Sequence, residues 1–383
     1  MKILNVIPTF APSYGGTVTV LYRLSTELAK LGHSVTIICT DFDFDAEYAK
    51  SIEELGVRVM PFRVTFSIDV FRVSFSMKKW LKKHIDNFDI IHLHDFRSYP
   101  NYIASRYAKK RNIPYILQPD NSMPTYTGKT RLKSVYDILM GRPVLNNMSK
   151  LIAISHQEVA YSERLGISTE KISQIYTGID VDTKFSAKQP FGLFRRKFDI
   201  KGAMILYLGR INETKGIDIL IKSFYLVSRE TDNVTLVIAG LDTGFKSNLE
   251  KMIDELGLED KVRFTGVLND FDKISAYIDA DVFVHAVWYM GGVGLTPLEA
   301  LACGTPVIVT KECGEIIEAA HCGYFVQYGD AEDLKYKILY VLNHPKEAQA
   351  TVIRGTDYIN ENLSWSIIAQ KVDAIYEDCI RNI

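Results

Sequence analysis

Short, wholly apolar runs of strand length alternate with amphipathic helical stretches along nearly the entire chain. No other feature constrains the fold as much. KILNVIP is followed by VLYRLSTELAKLGH (Val20 to His33), then SVTIICT, GVRVMPF, a lysine-rich helical stretch, FDIIHLH (Phe88 to His94), PYILQP and KLIAIS. Runs apolar on both alternating faces suit strands buried on both sides, and the helices between them supply the crossovers of a parallel sheet. The pattern then restarts with AMILYLGR (Ala203 to Arg210), GIDILIKSFYLVSRE, VTLVIAG, SNLEKMIDELGL, KVRFTG, DVFVHA and TPVIVT. Two doubly wound, Rossmann-like α/β domains are predicted. Ligands of open parallel sheets sit beyond the strands' carboxyl ends, so two facing sheets would enclose an interdomain cleft.

The chain has 383 residues, long for one core and comfortable for two. Between the halves, DVDTKFSAKQPFGLFRRKFDIKGA has no clean period and carries Pro190 and Gly192, which places a linker near residues 182–200. The expected domains are 1–185 and 186–362. A last helix, 363–383, presents Leu363, Ile367, Ile368, Val372, Ile375 and Tyr376 as one apolar stripe and is expected to pack back on the N-terminal domain.

Composition excludes several classes. Lys and Arg number 45 against 46 Asp and Glu, so there is no global basic field and no nucleic-acid partner is expected. The five cysteines, Cys39, Cys303, Cys313, Cys322 and Cys379, are odd in number and form no C-x-x-C pair. That fits neither a disulfide framework nor a zinc site, and a cytoplasmic location is expected. MKILNVIPTF reads as a buried strand and not as a secretion signal. No apolar run approaches the roughly 18 residues of a membrane span.

Three constellations in the second half carry chemistry. In LGRINETKG, Arg210 and Lys215 follow a buried strand and precede a helix. Two fixed cations there suit a diphosphate; the plainer reading is a solvated loop. Gly292, Val293, Gly294, Leu295 and Thr296 lead into a helix expected to begin around Pro297. Free backbone N–H groups at such a start suit an anion, although a tight turn alone also asks for glycine. Glu299, expected less than a turn inside that helix, suits ribose hydroxyls, or else serves the helix dipole.

The first half offers weaker signals. Gly15 and Gly16 lie in the loop after the first strand, without the spacing of a nicotinamide-dinucleotide motif. His92 and His94 share one face of their strand and precede Asp95, but no fourth metal ligand is near; a buried His92 and a cleft-lining His94 are expected. TDFDFD (Thr40 to Asp45) has the D-x-D spacing of some metal sites and is read as a solvated loop at a sheet edge. Lys78, Lys79, Lys82 and Lys83 flank Trp80 on one helix, and Lys129, Arg131, Lys133 and Arg142 follow downstream. Each set is a solvated face or, if both face one way, a contact for anionic lipid headgroups.

YLGRINETKGIDILIKSF, LVIAG with VRFTG, VGLTPLEALACGTPVI, and the N-terminal GG, LYRLSTELAKLGHSVTI and FDIIHLHD together resemble the retaining glycosyltransferases of family 4, in the family's order and over nearly the whole chain. The resemblance implies the GT-B fold and a nucleoside-diphosphate sugar, UDP or GDP type, as donor, with no metal or other cofactor required. It implies that Arg210 and Lys215 bind the donor pyrophosphate, that the amides of Leu295 and Thr296 touch phosphate, and that Glu299 binds ribose. The Gly15–Gly16 loop would meet the donor phosphate and the acceptor.

Two positions depart from the family. Its Glu-x7-Glu pair keeps only the second member, because the position eight before Glu299 is Gly291 and no Asp or Glu occurs from His285 to Leu298. The lost carboxylate would have bound the donor sugar, with a contribution of about 1.5–3 kcal/mol. The family's histidine after PYILQP corresponds to Asp120, which suits sugar orientation or assistance to proton transfer, or else caps a loop. The expected activity is therefore sugar transfer, with Asp120, Arg210 and Lys215 catalytic, to a glycan or lipid-linked acceptor, with peripheral contact at the cytoplasmic membrane face. A nucleotide-sugar-binding subunit, an epimerase and a phosphorylase stay open as alternatives.

Overall fold

The computed structural model describes residues 1–68, 71–124, 130–180, 189–288 and 294–382. The chain divides into two compact units, Met1–Gly178 with Trp365–Ile383, and Ile179–Ser364.

In the first unit, β1 (Lys2–Thr9), α1 (Gly16–Lys30), β2 (Ser34–Thr40), α2 (Ala46–Glu53) and β3 (Arg58–Phe62) lead to a hairpin of β4 (Phe66–Ile68) and β5 (Phe71–Val73). Then come α3 (Phe75–His84), β6 (Ile90–His94), α4 (Tyr99–Arg111), β7 (Tyr115–Gln118), α5 (Thr130–Tyr136), α6 (Arg142–Asn147), β8 (Lys150–Ala153), α7 (His156–Arg164) and β9 (Ile172–Gln174). Seven parallel strands run in the order β3-β2-β1-β6-β7-β8-β9. Every residue of β6 and β7 is buried, which is why these runs carry no polar alternation apart from the histidines and Gln118. Helix starts are set by small polar residues: Ser74, Ser98 and Ser155 each accept the N–H three residues on, capping α3, α4 and α7.

The second unit holds α8 (Leu193–Lys197), β10 (Ala203–Leu208), α9 (Ile217–Glu230), β11 (Val234–Ala239), α10 (Lys246–Leu256), β12 (Val262–Gly266), α11 (Asp270–Asp279) and β13 (Val282–His285). It continues with α12 (Leu295–Ala302), β14 (Val307–Thr310), α13 (Glu315–Ala319), β15 (Tyr324–Val326), α14 (Ala331–Asn343) and α15 (Pro345–Asn362). Its six strands, also parallel, run β12-β11-β10-β13-β14-β15. In each sheet the winding direction reverses beside the first strand, between β1 and β6 and between β10 and β13. Connections leave in opposite directions there, so the strand ends open a crevice.

The final helix, α16 (Trp365–Arg381), belongs to the first unit. Trp365, Ile368, Val372 and Tyr376 join a core with Leu21, Leu24 and Ile116. Leu363 is not part of this stripe, because it caps α15, and Ile367 and Ile375 are only half-buried.

Two expectations change. Thr40 to Asp45 does not leave an edge strand: β3 holds the edge, and β2 lies inside it. Asp41 accepts the Val64 N–H and Asp45 caps α2, so two of these carboxylates have backbone duties. The residues placed in a linker near 182–200 include α8, pinned to α11 by the N–H groups of Gly192 and Arg195 on the Asp279 carboxylate. A five-residue helix burying one side chain, Phe194, leaves no readable period. Residues 181–188 lie outside the described residues.

Candidate functional site

The cationic corner of the second unit is built by two glycines. A Cβ on Gly240 (φ +142) would stand 1.8 Å from the Gly209 carbonyl oxygen, so only glycine lets the end of β11 lie against the chain leaving β10. A Cβ on Gly216 (φ +64) would meet the Ala286 oxygen at 2.1 Å, so glycine also seats the start of α9 against the end of β13. Arg210 and Lys215 fall between these two constraints. The Tyr207 hydroxyl donates to the Arg210 carbonyl oxygen at 3.0 Å and fixes the turn.

Arg210 is exposed and Lys215 half-buried, and neither forms an ion pair with another described residue. Burial, then the Arg210 charge, holds the Lys215 ammonium below its ordinary pKa, against a smaller opposing effect of Cys313. His285, fully buried at the end of β13, is pushed down to about 3 by burial and then by Lys215. The corner thus concentrates positive charge, and among the described residues no carboxylate is ion-paired with Arg210 or Lys215. A bound anion relieves that repulsion and restores the ammonium's basicity.

Helix α12 opens beside this strand end. It begins at Leu295, two residues earlier than expected, with Gly294 in extended conformation as its cap. Pro297, at the third position, is tolerated because the first four N–H groups of a helix have no intrahelical partner. The Leu295 and Thr296 N–H groups are among those four. Gly291, Gly292 and Val293 lie outside the described residues.

Glu299 is the fifth residue of α12, and the first turn holds no acidic residue, so the dipole reading falls. Its carboxylate is gripped from α11 instead. Lys273 Nζ lies 3.0 Å from Oε1, and the Tyr277 hydroxyl donates to Oε2 at 2.9 Å. A carboxylate offers about four acceptor directions, so two remain for hydroxyl donors. Lys273 and Tyr277 escaped the reading of the sequence. Their i,i+4 spacing was the available signal, but it becomes informative only once α11 is known to pack on α12.

The first unit has its own polar cluster where β6 and β7 end. His92 and His94 are both fully buried with ring centroids 4.1 Å apart, and His92 Nδ1 shares a 2.7 Å hydrogen bond with the Tyr376 hydroxyl. His94 was expected to line a cleft; it is instead enclosed, its Nδ1 3.9 Å from Asp120 Oδ2. Gln118 Nε2 donates to Asp120 Oδ1 at 2.8 Å. Asp95, Asp120 and Asn121 all adopt left-handed backbone (φ 71, 50 and 62), a conformation Asp and Asn tolerate better than most residues.

Glu158, a residue the sequence did not single out, ties this loop down. Its carboxylate accepts Asn121 N–H at 2.7 Å and Ile154 N–H at 2.9 Å. Burial pushes Glu158 up to about 8, against those two hydrogen bonds, and pushes Asp95 up to about 6, with Asp120 adding to the shift. Gly15 caps α1 with φ 79, and Gly16 is the first residue of that helix. A Cβ on either would meet nothing within 4 Å, so the start of α1 is open.

Two family models match the chain: "Glycosyltransferase Family 4" over residues 14–183 and "Glycosyl transferases group 1" over residues 192–357. Mannosylfructose-phosphate synthase of Agrobacterium fabrum is 25% identical over 97% of this chain and 88% of its own length. Phosphatidyl-myo-inositol mannosyltransferase of Mycobacterium leprae is 25% identical over 98% and 96%. The crystal structure of Anabaena HepE in complex with UDP and glucose superposes with a TM-score of 0.80 at 17% identity, over 99% of this chain and all of that one.

Proposed function

This chain is a glycosyltransferase of family 4 with the GT-B fold, and on that premise we propose that it transfers a hexose or related sugar from a nucleoside-diphosphate sugar to a hydroxyl of a lipid-linked or cell-surface glycan precursor. Retention at the anomeric carbon accompanies the family reading. The observation that carries the proposal is the cation pair, Arg210 and Lys215, without an ion-pair partner among the described residues, on the same strand ends as the start of α12 and a Glu299 held with acceptor directions to spare.

In this reading the bond from the anomeric carbon to the β-phosphate oxygen breaks as the acceptor oxygen bonds to that carbon. Negative charge grows on the departing diphosphate, where Arg210, Lys215 and the amides of Leu295 and Thr296 stabilise it. Fixed cations and dipoles do this best because they need no reorganisation during the reaction. Glu299 anchors the ribose. Asp120 is assigned to orient the sugar or receive the acceptor's proton; its side chain is nearly enclosed, with Oδ1 on Gln118 and Oδ2 facing His94, so in this role it must be uncovered when substrate binds. The open Gly15–Gly16 turn meets the donor phosphate and the acceptor. The UDP bound by Anabaena HepE favours a uridine donor over a guanosine one, and the lipid in the name of the mycobacterial relative favours a lipid acceptor.

Incubation with labelled UDP- and GDP-sugars and a lipid-linked glycan extract tests the proposal, with the anomeric configuration of the product read by NMR. Release of nucleoside diphosphate matched by an α-linked product from an α-linked donor is expected. Isomerised donor without transfer would replace the reading with an epimerase, and tight nucleotide binding with no turnover on any acceptor would replace it with a binding subunit.

A further inference from the structure

Helices α3, α4 and α6 lie side by side on one face of the first unit's sheet, where their buried sides (Met77, Leu81, Ile103, Ala104, Ala108 and Val144) share one core cluster. Their outer sides are of a single sign. Residues 75–84, 99–111 and 142–147 contain nine Lys and Arg (four, four and one) and no Asp or Glu, in a chain whose net charge is −1. All nine are exposed. Among the described residues, Asp86 beside this face pairs with Arg111, at 3.5 Å.

A pocket of about 790 Å³ opens among these helices, with Lys78, Arg106, Lys109 and Lys110 in its lining and Pro143 and Asn147 of α6 at its border. The same run of helix, traced back through the π-helical turn Asp137–Gly141, exposes Val135, Ile138 and Leu139 at 55%, 61% and 64%. Ile138 and Leu139 lie in the turn that runs directly into α6, so exposed apolar side chains lead into the helix whose Pro143 and Asn147 border the cationic pocket. Exposed Ile and Leu side by side are uncommon on a solvated helix. Beside a single-sign basic surface they match an interface of anionic headgroups over hydrocarbon.

We propose that this face of the first unit rests on an anionic lipid bilayer, the pocket between α3, α4 and α6 receiving a lipid phosphate while Ile138 and Leu139 enter the acyl boundary. This deepens, and rests on, the reading of the acceptor as lipid-linked, since it would hold the enzyme at the surface where such an acceptor resides. The cations of α4 and the exposed apolar side chains between α5 and α6 do different work here: the first select anionic lipid, the second add affinity that salt does not screen.

Flotation of the full chain with vesicles of phosphatidylcholine alone, or mixed with phosphatidylglycerol, tests it at rising salt. Binding to the mixed vesicles only, weakening with salt, is expected. Lys109→Gln with Lys110→Gln should lower binding about 25-fold, at about fivefold for each surface cation. Ile138→Ser with Leu139→Ser should weaken it and leave a remainder that high salt abolishes. Equal binding to both vesicle types, or none, overturns the proposal. So does tripolyphosphate competing equally well against wild type and the serine variant, which would make the pocket a site for soluble anions. A dimer in sedimentation that the serine variant dissolves would assign the face to a second copy. Nucleoside-diphosphate titration of the same preparations reports on the transferase reading separately, because Arg210, Lys215 and Glu299 lie in the other unit and none of the substituted residues is assigned to the donor.

Discussion

Removing Glu299 is the sharpest perturbation of the donor site. With Lys273 on Oε1 and Tyr277 on Oε2, the two remaining acceptor directions would take the ribose 2′ and 3′ hydroxyls. Hydrogen bonds to a charged acceptor contribute about 1.5–3 kcal/mol each, so even the lower figure, twice, gives about 3 kcal/mol or about 150-fold in Kd. Glu299→Ala should therefore weaken whichever of UDP, GDP and ADP binds best by at least that factor in calorimetric titration. The substitution also leaves the fully buried Tyr277 hydroxyl without its acceptor, and thermal unfolding must show the variant folded at the titration temperature. The 2′,3′-dideoxy nucleotide separates the two effects: wild type should lose about 150-fold against it while Glu299→Ala binds both forms alike. If wild type binds ribose and dideoxy forms equally, Glu299 holds no ribose and the reasoning is refuted.

Arg210→Ala and Lys215→Ala should each weaken a nucleoside diphosphate about 10- to 100-fold while leaving the nucleoside unaffected; equal losses for both ligands would point to collapse of the corner. Tyr376→Phe strips the buried His92 Nδ1 of its partner and should lower stability by about 1–3 kcal/mol in denaturant unfolding. Asp95 and Glu158, pushed up to about 6 and about 8, bind protons more tightly folded than unfolded. Their contribution to stability is full below about pH 4 and is lost as pH rises through the folded values. Thermal unfolding should show a decline from pH 5 to 8 whose upper part flattens in Glu158→Gln.

The alternation of apolar strands and amphipathic helices is a local property, and it determined the fold class because fully buried strands leave a parallel sheet as their only economical neighbour. Arg210, Lys215 and Glu299 were readable for a similar reason: the chemistry of a strand end or helix start is set within a few residues. The hairpin of β4 and β5 and the five-residue α8 escaped, being too short to show a period. What tertiary structure alone decided is where the charges end up. That Glu299 is held by Lys273 and Tyr277, that His94 is enclosed beside Asp120, that Glu158 pins the loop carrying it, and that nine cations from three separate stretches share one face all depend on which helices pack together. Such contacts join positions far apart in the chain, and no spacing within one stretch reports them.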